Sequence, residues 1–156
     1  MCAEEQKGRE LSVTAIRNGT VIDHIRNEAT FKVAQVLKVQ EEASQVLVGM
    51  NLPSGRVGHK GIIKVENRAL TPQEVNKIAL IAPEATVNII KNYQVVDKRY
   101  VEVQDRVEDI VKCFNPNCIT NRQDTSTAFE VVGEEPTTLR CVYCERHMGG
   151  NDIIIK

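Results

Sequence analysis

Four cysteines in two close pairs constrain this chain more than any other feature. Cys113 and Cys118 are separated by four residues, Cys141 and Cys144 by two, and twenty-two residues lie between the pairs. Thiols spaced this way sit on two tight turns, and the intervening length is that of a hairpin, which brings the turns together around one ion. Asn115-Pro116-Asn117 in the first pair and Tyr143 in the second complete those turns. Four protein thiolates leave no open coordination position, so the ion cannot activate a water and its role is structural. Zinc is expected. Iron in a rubredoxin-like electron-transfer site is the rival, disfavoured because the first turn is longer than a Cys-x2-Cys knuckle. His147 would be a fifth ligand and is read as a surface residue, and Cys2 as a spare thiol near the chain end.

The cysteines also divide the chain. All of them except Cys2 fall in the last 44 residues, among Asn, Thr and Gly, whereas the chain up to Asp97 is rich in Val, Ile, Leu and Ala. Two cores are expected: a disordered leader at 1–10, a first domain at 11–103, and a second at 104–156. A segment of about 50 residues seldom folds without a metal or disulfides. The N-terminal MCAEEQKGRE carries charges where a signal peptide needs an apolar run, so a cytoplasmic setting with reduced thiols is expected. Net charge is −1 with both signs interspersed, and there are three Tyr, three Phe and no Trp. That balance argues against a nucleic-acid partner, and no apolar run is long enough to span a membrane.

Periodicity supplies the first domain's elements. Leu11, Val13 and Ala15 alternate as in a half-buried strand, and Val21 to Ile25 form another after Gly19. Ala29, Val33, Val36 and Leu37 recur at helical spacing behind Asn27 as a cap. Val46, Val48 and Met50 alternate, Pro53-Ser54-Gly55 turns the chain, and Ile62 to Glu66 return as the second arm of a hairpin. Thr71-Pro72-Gln73-Glu74 is a capping box with Pro at the first helical position, opening a helix that Pro83 ends. Thr86 to Lys91 and Tyr93 to Val96 follow as strands around Asn92. The order strand, helix, strand, strand, helix, strand predicts an α+β, ferredoxin-like antiparallel sheet with two helices, followed by a small C-terminal β zinc-ribbon (rubredoxin-like) domain. Tyr100 to Val111 is read as an extended connector.

Anion binding has three candidates, Lys60, Lys64 and Lys98. On one extended segment Lys60 and Lys64 share a side, opposite Ile63 and Val65. The stretch SGRVGHKG (Ser54 to Gly61) is not a phosphate loop, because His59 precedes the lysine, Gly61 follows it and no helix begins there. Asp23 and His24 are adjacent but have no nucleophile in a recognisable motif, so covalent catalysis has no support.

Several blocks together form a known pattern: GTVIDHI (Gly19 to Ile25), NLPSG (Asn51 to Gly55), KVEN (Lys64 to Asn67), APEATVN (Ala82 to Asn88), NYQVV (Asn92 to Val96) and the four cysteines. From Leu11 onward the chain closely resembles the regulatory chains of aspartate carbamoyltransferase, the pyrimidine-biosynthesis enzyme. That resemblance implies a non-catalytic subunit that pairs as a homodimer through its N-terminal domain and docks on catalytic chains through its zinc domain. It also implies one allosteric pocket for CTP and UTP, which inhibit, and ATP, which activates, with Mg2+ accompanying the nucleotides. By position, Asp23, Lys64 and Lys98 match family residues at ribose and phosphates, and Val13, Ile16, Val21, Asn88, Tyr93 and Val95 those around the base. His24 and Lys60 match positions near the phosphates and a second, metal-bridged nucleotide. Asn115, Asn117, Glu145 and Arg146 match the interface with catalytic chains. Two departures bear on docking: Val142 stands where a basic residue is expected, and Glu134-Glu135 make the nearby loop more acidic. The alternatives are a zinc-ribbon nucleic-acid-binding protein and an iron electron carrier.

Overall fold

The computed structural model describes residues 15–55 and 58–156. The expected strand at Leu11 to Ala15, including the candidate Val13, lies outside them except for Ala15, which has no regular structure. The chain forms two compact units, one ending at Val101 and the other spanning Glu102–Lys156.

The first unit contains β1 (Gly19–Arg26), α1 (Thr30–Val36), β2 (Val46–Ser54), β3 (Gly58–Glu66), α2 (Pro72–Ile81), β4 (Thr86–Lys91) and β5 (Gln94–Tyr100). The strands pair antiparallel in the order β2-β3-β1-β4-β5. This is the expected ferredoxin-like sheet, with β5 added at one edge. Ile22, Ile63 and Val65 on one face are fully buried, as are Val33, Ile78 and Ala79 of the helices. A side chain at Gly61, which shares that face, would collide with Thr30 at the start of α1. The helices therefore cover this face only.

The local signals held in part. Thr71 caps α2, its hydroxyl accepting from the Glu74 N–H at 3.2 Å, but the Glu74 carboxylate pairs with Arg68 at 3.2 Å instead of closing the box. Asn27 does not cap α1, which begins after a 3-10 turn at Asn27–Ala29. Its amide instead bonds Asn51 twice, each at 2.7 Å, where β2 bulges. Pro53 and Ser54 are paired strand residues, tolerated because β2 is an edge strand. Tyr93 is not in a strand: with Asn92 it forms the two-residue turn between Lys91 and Gln94, both residues at positive φ (51° and 64°).

The second unit contains β6 (Arg106–Glu108), β7 (Val111–Lys112), a one-turn helix α3 (Ile119–Arg122), β8 (Ala128–Glu134), β9 (Thr137–Cys141), β10 (His147–Gly149) and β11 (Ile154–Ile155). The order β10-β9-β8-β6 makes a small antiparallel sheet around Phe129, Leu139 and Met148, while β11 pairs with β7 just before Cys113. This agrees with a zinc ribbon. No described helix is long and apolar enough to cross a membrane.

Candidate metal centre and anion-binding face

The four cysteine sulfurs all lie within 4.8 Å of one another. Cys113 is 3.7 Å from Cys144 and Cys118 is 3.8 Å from Cys141. A tetrahedron of thiolates about 2.3 Å from a zinc ion has edges of about 3.8 Å, so the quartet fits a four-coordinate metal without rearrangement. Its soft donors suit zinc or iron, and it could hold zinc. His147 is exposed on β10 and is not in the group.

Each turn is built by backbone and amide groups. Asn115 accepts the Cys118 N–H on its carbonyl at 3.0 Å and the Asn117 N–H on its side chain at 3.1 Å. Asn121, on α3, donates its amide to the Cys113 carbonyl (2.8 Å) and the Asn115 carbonyl (2.7 Å), locking the first turn from below. Thr120 donates to the Cys118 sulfur at 3.2 Å. At the second turn Glu145, with φ 61°, donates its N–H to the Cys141 carbonyl at 2.9 Å, and the Cys141 N–H donates to the Arg146 carbonyl at 3.0 Å.

Burial, reinforced by the neighbouring thiols, pushes Cys113 up to about 12 and raises Cys141. At Cys144 burial acts the same way but is outweighed by hydrogen bonds from the Arg146 backbone and the Asn115 amide, which bring it down to about 7. Four thiols this close, three of them buried, cannot become thiolates together without a cation among them. Of the four interface candidates, Asn117, Glu145 and Arg146 are exposed. Asn115 is 7% exposed, its side chain committed to the turn. Phe114, Ile119, Val142 and Tyr143 are exposed apolar neighbours of the ligands.

On the sheet face that the helices leave open, strand register collects the other candidates. Lys64 pairs with Val21, Val21 with Asn88, and Asn88 with Lys98, so the four form one row across β3, β1, β4 and β5. At one end of that face β1 bulges between Ile22 and Ile25, which lets Asp23 meet Lys60 in a 2.8 Å ion pair. His24, at φ 56° in the bulge, donates its N–H to Asp23 at 2.7 Å and places its ring 3.1 Å from the Thr86 hydroxyl. Along the same face Ile16, Val21, Ile62 and Ile90 form an apolar cluster against which Leu52 packs, and Val95 pairs with Ile90. Tyr93 and Val95 are 65% and 59% exposed, and Lys98 lies 5.8 Å from the centre of the Tyr100 ring.

Burial alone would raise the Asp23 carboxyl, but the Lys60 hydrogen bond, the His24 backbone N–H and electrostatic attraction to Lys60 outweigh it, holding the group below its ordinary value of 3.8. Burial pushes the Lys64 ammonium below its ordinary 10.5, and attraction to Asp23 partly opposes that. The face thus presents three lysines at the edges of an apolar, amide-bearing strip, which suits a polyanion with a flat uncharged end.

Neither Asn121 nor Thr86 stood out in the sequence. Both act through hydrogen bonds whose partners only folding brings close, and an Asn three residues after a cysteine carries no distinguishing signal.

Residues 11–102 match the family model described as aspartate carbamoyltransferase regulatory chain, allosteric domain, and residues 105–154 match that of its metal binding domain. The aspartate carbamoyltransferase regulatory chain of Pyrococcus abyssi is 52% identical over 147 residues, covering 93% of this chain and 97% of that one. That of Methanothermobacter thermautotrophicus is 47% identical over 149 residues (95% and 96%), and that of Parabacteroides distasonis is 43% identical over the full length of both chains. These matches do not favour a nucleic-acid-binding ribbon. The four-cysteine centre and the open sheet face lie one in each matched domain, and the chain belongs to the family of aspartate carbamoyltransferase regulatory chains, non-catalytic subunits with an allosteric and a metal-binding domain.

Proposed function

We propose that the allosteric domain, taken as 11–103, binds nucleoside triphosphates on its open sheet face, CTP and UTP as inhibitors and ATP as activator. The metal-binding domain, taken as 104–156, carries the signal to the catalytic chain. The observation that carries this reading is the row Lys64, Val21, Asn88 and Lys98 beside the Asp23–Lys60 pair. Lys60, Lys64 and Lys98 hold the phosphates, with His24 beside them and Asp23 positioned for the ribose. Ile16, Val21, Asn88, Tyr93 and Val95 enclose the base, with Val13 as a further contact. Lysines without a general base or an activated water bind a triphosphate without cleaving it. Selection between cytosine and adenine falls to strand-end carbonyl and N–H groups, since the phosphates are common to both. Opposite effects follow if each nucleotide favours a different quaternary state.

The metal is zinc and its work is structural. It holds Asn115, Asn117, Glu145 and Arg146 on turns that face the catalytic chain, together with the exposed apolar residues beside them. Val142 makes that contact apolar where an ion pair would otherwise form. The chain pairs as a homodimer, Mg2+ accompanies the bound nucleotides, and four reduced thiolates suit the cytoplasm.

Calorimetric titration of the full chain with CTP, then with ATP in the presence of CTP, tests the pocket. Competitive binding with one site per chain is expected. Failure to bind either nucleotide, or independent binding of both, overturns the proposal.

A further inference from the structure

We propose that Asn18 is a positioning residue that fixes the base-reading end of the open face and thereby sets discrimination between nucleotides, an inference that rests on the nucleotide reading above.

The turn joining β4 to β5 places Asn92 and Tyr93 consecutively in the left-handed region, at φ 51° and 64°. Glycine normally takes the second position of such a turn, and a bulky aromatic residue there is disfavoured. A conformation of this kind persists when surrounding bonds over-determine it. Here the segment leading into β1 supplies them. The Asn18 side-chain carbonyl accepts the Asn92 N–H at 3.2 Å, and the Arg17 carbonyl accepts the Tyr93 N–H at 2.9 Å. Asn18 is itself held, because its backbone carbonyl accepts the Asn67 N–H at 2.9 Å.

These bonds tie the Tyr93 turn to the segment that carries Ile16, so they set the separation between two of the residues assigned to the base. The lysines are held by other bonds, Lys60 by its 2.8 Å pair with Asp23 and Lys64 and Lys98 by strand pairing with Val21 and Asn88. Asp23, which holds Lys60, is five residues beyond Asn18, about 16 Å at the rise of a strand. Loosening the turn therefore changes how the base is read and leaves Lys60 and Lys64, on β3, where they are. Only the side-chain bond is lost on truncation of Asn18, since its backbone link to Asn67 remains.

The test compares dissociation constants of CTP, ATP and inorganic tripolyphosphate for the full chain and three variants. Asn18→Ala should change the CTP-to-ATP affinity ratio about fivefold, the worth of one hydrogen bond, while tripolyphosphate affinity stays within about twofold. Asn18→Asp keeps an oxygen acceptor for the Asn92 N–H and should restore the wild-type ratio. Asn18→Ser, whose shorter hydroxyl reaches less well, should fall between them and replaces the alanine variant if that one does not fold. An unchanged ratio in Asn18→Ala or Asn18→Ser overturns the inference, as does a parallel loss for all three ligands, which marks a merely structural role. If the wild-type chain binds tripolyphosphate but neither nucleotide, it is the nucleotide reading that fails.

Discussion

Replacing Lys64 with methionine separates a binding role from a folding role. Lys64 lies in β3 beside β1, with its ammonium half-buried on the open face, and burial pushes that ammonium below its ordinary value. In the free protein the charge carries a desolvation cost that attraction to Asp23 offsets in part. Methionine keeps an unbranched stem of similar length and removes both terms, so Lys64→Met should change stability by less than about 1 kcal/mol in either direction. Binding should respond differently. A charge-assisted hydrogen bond to a phosphate contributes about 1.5–3 kcal/mol, so CTP and ATP affinities should both fall roughly 10- to 150-fold. Urea unfolding gives the first quantity and calorimetry the second. Lys32→Met is the control, because it removes the same charge from an exposed position on α1 and should alter affinity by less than about twofold at physiological salt. Unchanged affinity in Lys64→Met, or an equal loss in Lys32→Met, would refute the assignment of the phosphates to the open face.

Cys144→Ser should lower the metal content and abolish association with catalytic chains while leaving the heat of nucleotide binding in place. Metal stoichiometry and co-sedimentation read this out, and simultaneous loss of nucleotide binding would contradict it. A structural zinc site is worth on the order of 10 kcal/mol, more than so small a domain has to spare. Gly19→Ala should destabilise the allosteric domain by about 2–4 kcal/mol, measured by urea unfolding, because φ is +146° there and a Cβ would sit 2.1 Å from the Val65 carbonyl oxygen. The Asp23 carboxyl is held below its ordinary 3.8, so its contribution to stability is complete above that pH and is lost as the pH falls through the lowered value. Asp23→Asn should remove this part of the acid limb in urea midpoints taken between about pH 5 and pH 2.

Much of the fold was legible in short windows of sequence. Thr71 and Pro72 announced α2, alternation gave the strands, and the succession of elements gave the sheet class. The errors share a cause. Asn27 resembled a helix cap, but its amide found Asn51, twenty-four residues away, a partner that exists only once β2 has bulged. Pro53 and Ser54 resembled a turn, yet the edge of a sheet tolerates proline, and strand position depends on the whole topology. Tyr93 to Val96 resembled a strand because the run is rich in β-formers, yet Tyr93 sits in the turn at positive φ, with its N–H on the Arg17 carbonyl and that of Asn92 on Asn18.

The two candidate sites divide along the same line. By itself the sequence determined the four-cysteine cluster, since paired cysteines on turns carry their own geometry in four and two intervening residues, and the sulfurs meet within 4.8 Å. It also showed that Lys60 and Lys64 share a side of one strand. Only the tertiary structure decided that this side is the one without helices. It also decided that Lys98 falls in register with Lys64 through Val21 and Asn88, and that a bulge in β1 turns Asp23 onto Lys60. Spacing along a chain fixes neighbours within a turn or a strand, whereas register between strands is set by the packing of both sheet faces at once.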